Sequence, residues 1–139
     1  MKLILVCAGL SLAAAANPDY PEVEPRARVK QPRGVQEGED FRLKAIIKWK
    51  QWEGALSYEV CHDCDIDDAS GVRTSERGKT IASAVSYTCG GTPCAVFPDL
   101  TKGKHTYSVR ANDAEGWSRW SPRRNFIVEQ HGFAEHSEL

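Results

Sequence analysis

The sequence has no excess of basic charge: 18 Lys and Arg stand against 19 Asp and Glu, a formal net charge of −1. That balance argues against a nucleic-acid partner, which calls for a strongly electropositive face. Beyond the first 16 residues there is no long apolar run, so no membrane span is expected in the mature chain. No Asn-x-Ser/Thr sequon occurs, since Asn17, Asn112 and Asn125 all fail the pattern, and N-linked glycan is not expected. The chain lacks a Gly-x-Ser-x-Gly turn and a phosphate-binding glycine loop, and no pair of catalytic carboxylates can be argued. A helical apolar period of useful length is also missing after the first segment. The expectation is a protein with no catalytic activity and no cofactor.

What is present begins with an address. Met1 and Lys2 give a short positive start, Leu3 to Leu12 is almost wholly apolar, and Ala14 and Ala16 frame a small-residue cleavage site before Asn17. Residues 1–16 therefore read as a signal peptide, too short in its apolar part to anchor the chain. Its removal takes Cys7 away and leaves four of the five cysteines: Cys61, Cys64, Cys89 and Cys94. An even number in an oxidising compartment reads as two disulfides, with three pairings open.

Residues 17–40 hold Pro18, Pro21, Pro25 and Pro32 among alternating charges. They read as an extended linker with a candidate first edge strand around Arg28 to Val35. The apolar alternation Leu43, Ala45, Ile47, Trp49 marks a half-buried strand. Gly54 turns the chain into a second strand with Leu56, Tyr58 and Val60. The polar tract Asp63 to Lys79 is expected to be loop with a short strand. Ala82 to Thr88, then Cys94, Val96 and Leu100, supply further strands, and His105, Tyr107, Val109 and Ala111 alternate inward again. Asn125 to Val128 closes the domain, and residues 129–139 form a polar tail. Six or seven short strands separated by turn residues indicate an all-β sandwich of antiparallel strands.

Several tracts, in order, resemble a fibronectin type III domain. Ile47-Lys48-Trp49 with Ser57-Tyr58-Glu59-Val60 is similar to strands B and C. Asp99 to Gly103 followed by Tyr107 to Asn112 is similar to the E–F corner and strand F. Gly116-Trp117-Ser118-Arg119-Trp120-Ser121-Pro122 resembles the Trp-Ser-x-Trp-Ser box that precedes strand G, notably in class I cytokine receptors. The resemblance spans residues 41–128. It implies a fibronectin type III-like fold of about seven strands, with Trp49 in the core. It also implies a tryptophan–arginine ladder of Arg110 against Trp117 and Trp120, with Arg119 as a candidate extension. The family's corner tyrosine is absent; the count back from Val109 puts His105 at its place, a structural histidine able to make the corner hydrogen bond. The Trp117-x-x-Trp120 spacing also resembles a C-mannosylation acceptor pattern.

Other chemistry is weighed on the residues. Cys61-His62-Asp63-Cys64 has redox-pair spacing, but Asp65, Asp67 and Asp68 beside it oppose a reactive thiolate. The four cysteines could instead ligate zinc as thiolates, which the compartment opposes. Asp63, Asp65 and Asp67 begin like a calcium loop, yet Asp68 and Thr74 stand where Gly and Glu are needed. Trp52, in a loop between strands, is a candidate contact residue. His136-Ser137-Glu138-Leu139 resembles a C-terminal retrieval signal of the endoplasmic reticulum lumen, with Ser137 replacing an acid. The sequence thus reads as a secreted or lumenal binding or adhesion module, whose partner is another protein or an extracellular component. The alternatives are a thiol–disulfide factor using Cys61 and Cys64, and a zinc-binding structural protein.

Overall fold

Period-two burial decides where each strand lies. The computed structural model describes residues 17–30 and 43–129. The strands are β1 (Arg28–Lys30), β2 (Leu43–Lys48), β3 (Ser57–His62), β4 (Ile66–Asp67), β5 (Val72–Arg73), β6 (Lys79–Ala84), β7 (Thr88–Cys89), β8 (Thr92–Leu100), β9 (Gly103–Asp113), β10 (Gly116–Trp117) and β11 (Arg124–Val128). In β2, Leu43, Ala45 and Ile47 are buried while Lys44 is exposed. In β9, His105, Tyr107, Val109 and Ala111 point inward. Each buried large apolar side chain contributes about 1.5–3 kcal/mol, so one sheet alone would leave most of that gain unrealised. The two sheets close over each other: β1-β2-β8-β7 on one side, and β10-β9-β3-β6 on the other, with β11 also paired to β9. Every pairing is antiparallel. The core between them holds Trp49, Tyr58, Phe97, Tyr107, Val109 and Phe126. Trp49 meets Tyr58 edge to face at 5.2 Å. The fold is a fibronectin type III-like β-sandwich.

Three expectations need correction. Residues 17–30 do not merely lead to the domain; they belong to it. Pro21 is fully buried and Val23 joins the core. Val23 bridges Trp49, and the Tyr107 hydroxyl donates to the Glu24 carbonyl at 3.2 Å. The sandwich therefore begins well before residue 41: the candidate edge strand is present as Arg28–Lys30, and the inward Val23 was hidden among prolines and charges. Second, β8 faces the core through Ala95 and Phe97, not through Val96. The register to β2 shifts between Leu43 and Ala45, whose partners are Leu100 and Phe97. One extra residue in β8 is a β-bulge, and it brings Leu100 into the phase of Phe97. Pro98, which has no N–H to give the ladder, sits in that stretch. Third, Leu56 lies before β3 and is 62% exposed, while Tyr58 and Val60 are buried.

The proposed signal peptide, the stretch 31–40 of the linker and the tail from residue 130, with His136 to Leu139, lie outside the described residues. Among the described residues no helix is long and apolar enough to cross a membrane.

Candidate functional site: the outer face of the second sheet

Cross-strand pairing sets Arg110 of β9 directly opposite Glu59 of β3, both pointing away from the sandwich core. The guanidinium donates to Glu59 Oε1 through Nε at 2.9 Å and through an Nη at 2.6 Å. That bond fixes the plane of the guanidinium on an otherwise mobile stem. The Arg110 guanidinium carbon lies 4.3 Å from the centre of the Trp117 ring and 4.6 Å from that of Trp120. The two indoles therefore sandwich one cation.

Serines hold the tract that carries those rings. The Ser118 N–H donates to the Ala111 carbonyl at 2.7 Å, and the Ser118 hydroxyl accepts the Ala111 N–H at 2.9 Å. Ser121 repeats the pattern on Val109: its N–H donates at 2.9 Å and its hydroxyl accepts at 2.9 Å. A strand would pair every second residue. This tract pairs every third, the repeat of an extended polyproline II-type chain, and the hydroxyls stand in for carbonyls out of register. Sequence reasoning singled out the tryptophans and passed over the serines, although their three-residue spacing was the available signal.

Arg119 takes no part in the ladder. It makes no cation–π contact among the described residues, and its side chain runs past Gly71. A Cβ on Gly71 would come within 2.6 Å of Arg119 Cβ and 2.9 Å of the Trp120 carbonyl oxygen. Gly71 has φ 72°, and its carbonyl accepts the Trp120 N–H at 3.0 Å. The segment between Cys61 and Lys79, with the small β4–β5 hairpin, thus folds down over the box. Trp120 is buried in a second cluster with Cys61, Cys64 and Ile66, whereas Trp117 remains 45% exposed. The two rings do not lie side by side in solvent, because the insert covers one of them.

The four cysteines form Cys61–Cys64 and Cys89–Cys94 disulfides. Their sulfurs are therefore not available as the four thiolates that a zinc site would need. Cys61 and Cys64 are both buried, while Cys89 is half-buried. Trp52 also departs from expectation: it is buried and packs into the main core. Its indole N–H donates to Asp113 Oδ2 at 3.0 Å, and its backbone N–H donates to the Tyr58 hydroxyl at 3.0 Å. A loop tryptophan with a reachable acceptor folds inward, since that hydrogen bond removes the cost of burying the N–H. The bond from Trp52, with the Glu115 N–H, holds the Asp113 carboxyl below its ordinary value.

At the opposite end of β3 and β9, His62, Asp63 and His105 meet. His105 Nε2 lies 2.7 Å from the Thr101 carbonyl oxygen, and its Nδ1 lies 3.0 Å from His62 Nε2. Phe97 stacks on His62 at 4.4 Å and Phe126 on His105 at 5.3 Å. Burial lowers the His62 pKa, opposed by the Asp63 carboxylate and reinforced by His105 and Lys79. Neither the pairing of His62 with His105 nor the part of Asp63 was legible in the sequence, because 43 residues separate the two histidines.

Fold and site together define a disulfide-bonded fibronectin type III-like sandwich with a second, smaller core on one outer face. No model of a known protein family matches the sequence, and no curated protein does. Solved structures are similar in fold. One described as a myokine structure aligns with 82% of this chain and 100% of its own, at 14% identity and a TM-score of 0.52. The third fibronectin III domain of the human KIAA0343 protein aligns over 85% of this chain and 90% of its own, at 18% identity and a TM-score of 0.46.

Proposed function

We propose that the domain is a recognition module of the secretory pathway, binding an extended segment of a partner protein along β6. The observation that carries this reading is the free edge of that strand. β6 pairs with β3 on one side and with no strand on the other among the described residues. Natural edges are usually guarded by charge, proline or a bulge. The sequence Lys-Thr-Ile-Ala-Ser-Ala carries only Lys79 at one end. Beside it runs a groove lined by Ile81, Tyr87, Ala95 and Val96, and Tyr87 is 49% exposed. A strand added there gains backbone hydrogen bonds, and its alternate side chains enter the groove.

The two disulfides support the secretory compartment, in keeping with the signal-peptide pattern read in residues 1–16. The Trp-Ser-x-Trp-Ser tract then acts as a structural brace rather than as a contact surface, since its arginine is held between both rings. An oxidoreductase reading is disfavoured by the burial of both Cys61 and Cys64, which keeps a thiolate from reaching either sulfur.

The test places a photo-crosslinking amino acid in place of Tyr87, and separately in place of Trp117, in protein made in its secretory compartment. Crosslinks from position 87 to a single stretch of partner chain support the reading. Crosslinks from position 117 alone, or none from 87, refute it.

A further inference from the structure

We propose that His62, Asp63 and His105 form a binding site for a divalent transition cation, zinc by preference. The site is distinct from the cysteines and from the β6 edge, and it does not depend on the partner-binding reading.

Three donor atoms converge. His62 Nε2 is 3.0 Å from His105 Nδ1, and Asp63 Oδ2 is 3.4 Å from the first and 3.5 Å from the second. Ligands of a tetrahedral zinc ion with bonds of about 2.0–2.1 Å lie about 3.3 Å from one another, which these separations bracket. The donors also match zinc in kind, since imidazole nitrogen and carboxylate oxygen are among its usual ligands.

The surroundings fix each donor. A carbonyl oxygen only accepts, so the bond between His105 Nε2 and Thr101 places the proton on Nε2 and leaves Nδ1 with its lone pair. That is the outer partner by which a ligating histidine is commonly oriented. Asp63 is pinned twice: its N–H donates to the Thr106 carbonyl at 2.9 Å, and its Oδ1 accepts the Thr106 N–H at 2.9 Å. Only Oδ2 remains to face the imidazoles. Two acceptors, Oδ2 and His105 Nδ1, therefore confront each other, with a single His62 N–H to share between them. With the His62 proton moved to its Nδ1, so that Nε2 offers a lone pair, a cation satisfies all three atoms together. Three protein ligands leave a fourth position for water or an anion, on the side where Gly78, Lys79 and Pro98 line an open groove with His62 and Asp63.

The experiment uses tag-free, disulfide-bonded full chain, stripped with EDTA and dialysed. Zn2+ is titrated by calorimetry, and Co2+ replaces it for visible absorption. Wild type is expected to bind one equivalent of Zn2+ and to give the absorption of four- or five-coordinate Co2+. Asp63→Asn keeps Oδ1 as acceptor and suits the positive φ of 59° at that position. His62→Phe keeps a ring stacked on Phe97. Each is expected to bind at least about tenfold more weakly, the least loss seen even for indirect partners of a ligand. The variant His131→Ala/His136→Ala, which removes the two histidines outside the site, is expected to bind as wild type. The proposal is overturned if wild type binds no Zn2+, if Asp63→Asn binds as well as wild type, or if binding disappears with the tail histidines instead.

Discussion

His105 donates its Nε2 proton to the Thr101 carbonyl oxygen, four residues earlier, at 2.7 Å. The corner between β8 and β9 is thus locked by an imidazole, at the place where the fibronectin type III resemblance implies a tyrosine. The ring is buried and stacked on Phe126, so the bond is made out of water. His105→Phe preserves the stack and removes the donor, which leaves the Thr101 carbonyl without its partner. Urea unfolding in EDTA is expected to show a loss of about 1–3 kcal/mol. A variant as stable as wild type would remove the corner bond from the account.

The ladder predicts an ordered series. Arg110→Ala forfeits contacts with two rings and the pair with Glu59, at about 1–2 kcal/mol in a partly exposed setting. Trp120→Ala opens the second core and is expected to cost about 3–5 kcal/mol. Trp117→Ala, at an exposed position, should cost the least of the three. Thermal melts that rank Trp117 above Trp120 would show that the insert does not cover the box as described.

How much of this could be read in advance follows from periodicity. The strands with clean alternation, β2 and β9, were legible together with their inward residues, because period two is written in consecutive side chains. The place of Arg110 between Trp117 and Trp120 was implied by the resemblance to the Trp-Ser-x-Trp-Ser box, not by periodicity. What escaped depended on breaks in period or on distance. The bulge in β8 reverses the phase between Phe97 and Leu100, so Val96 was assigned inward. Trp52 was read as a contact residue because its acceptor, Asp113, lies 61 residues away. The insert gave no sign that it would lie on Trp120, since Gly71 is an ordinary loop glycine until Arg119 is placed against it.

The two disulfides should differ in reactivity. Cys61 and Cys64 are enclosed with Ile66 and Trp120, whereas Cys89 is half-buried in a hairpin. Under native conditions a soluble phosphine is expected to reduce Cys89–Cys94 first, as mass spectrometry after alkylation would report. Earlier reduction of Cys61–Cys64 would revive the oxidoreductase reading.

Acid should weaken the fold through Asp113. Its folded carboxyl titrates below the ordinary value because it accepts from Trp52 and from the Glu115 N–H. A depressed folded pKa means that the unfolded chain binds more protons in that window, so stability rises with pH there. The contribution is complete above the unfolded value of 3.8 and is lost as pH falls through the lower folded value. Asp113→Asn is expected to be less stable than wild type at neutral pH, and the difference should shrink on acidification below 3.8, followed by tryptophan fluorescence. A difference that is constant with pH would assign the effect to shape rather than to charge. Asp65 and Asp68, lowered by Ser75, Arg77 and Arg123, act in the same sense.

The hydrogen bond from the Trp120 N–H to the Gly71 carbonyl joins the tract before the last strand to an insert near the middle of the chain. The small core rests on this tract and on the two-residue strands β4 and β5, and it is expected to open without the sandwich opening. Hydrogen exchange at the Trp120 amide then reports that partial opening, while the amides of Val109 and Ala111, bound to Ser121 and Ser118, follow the same local event. Exchange at Trp120 faster than in the main sheets would then divide the chain into two cooperative units on a single backbone, the smaller one covering Trp120.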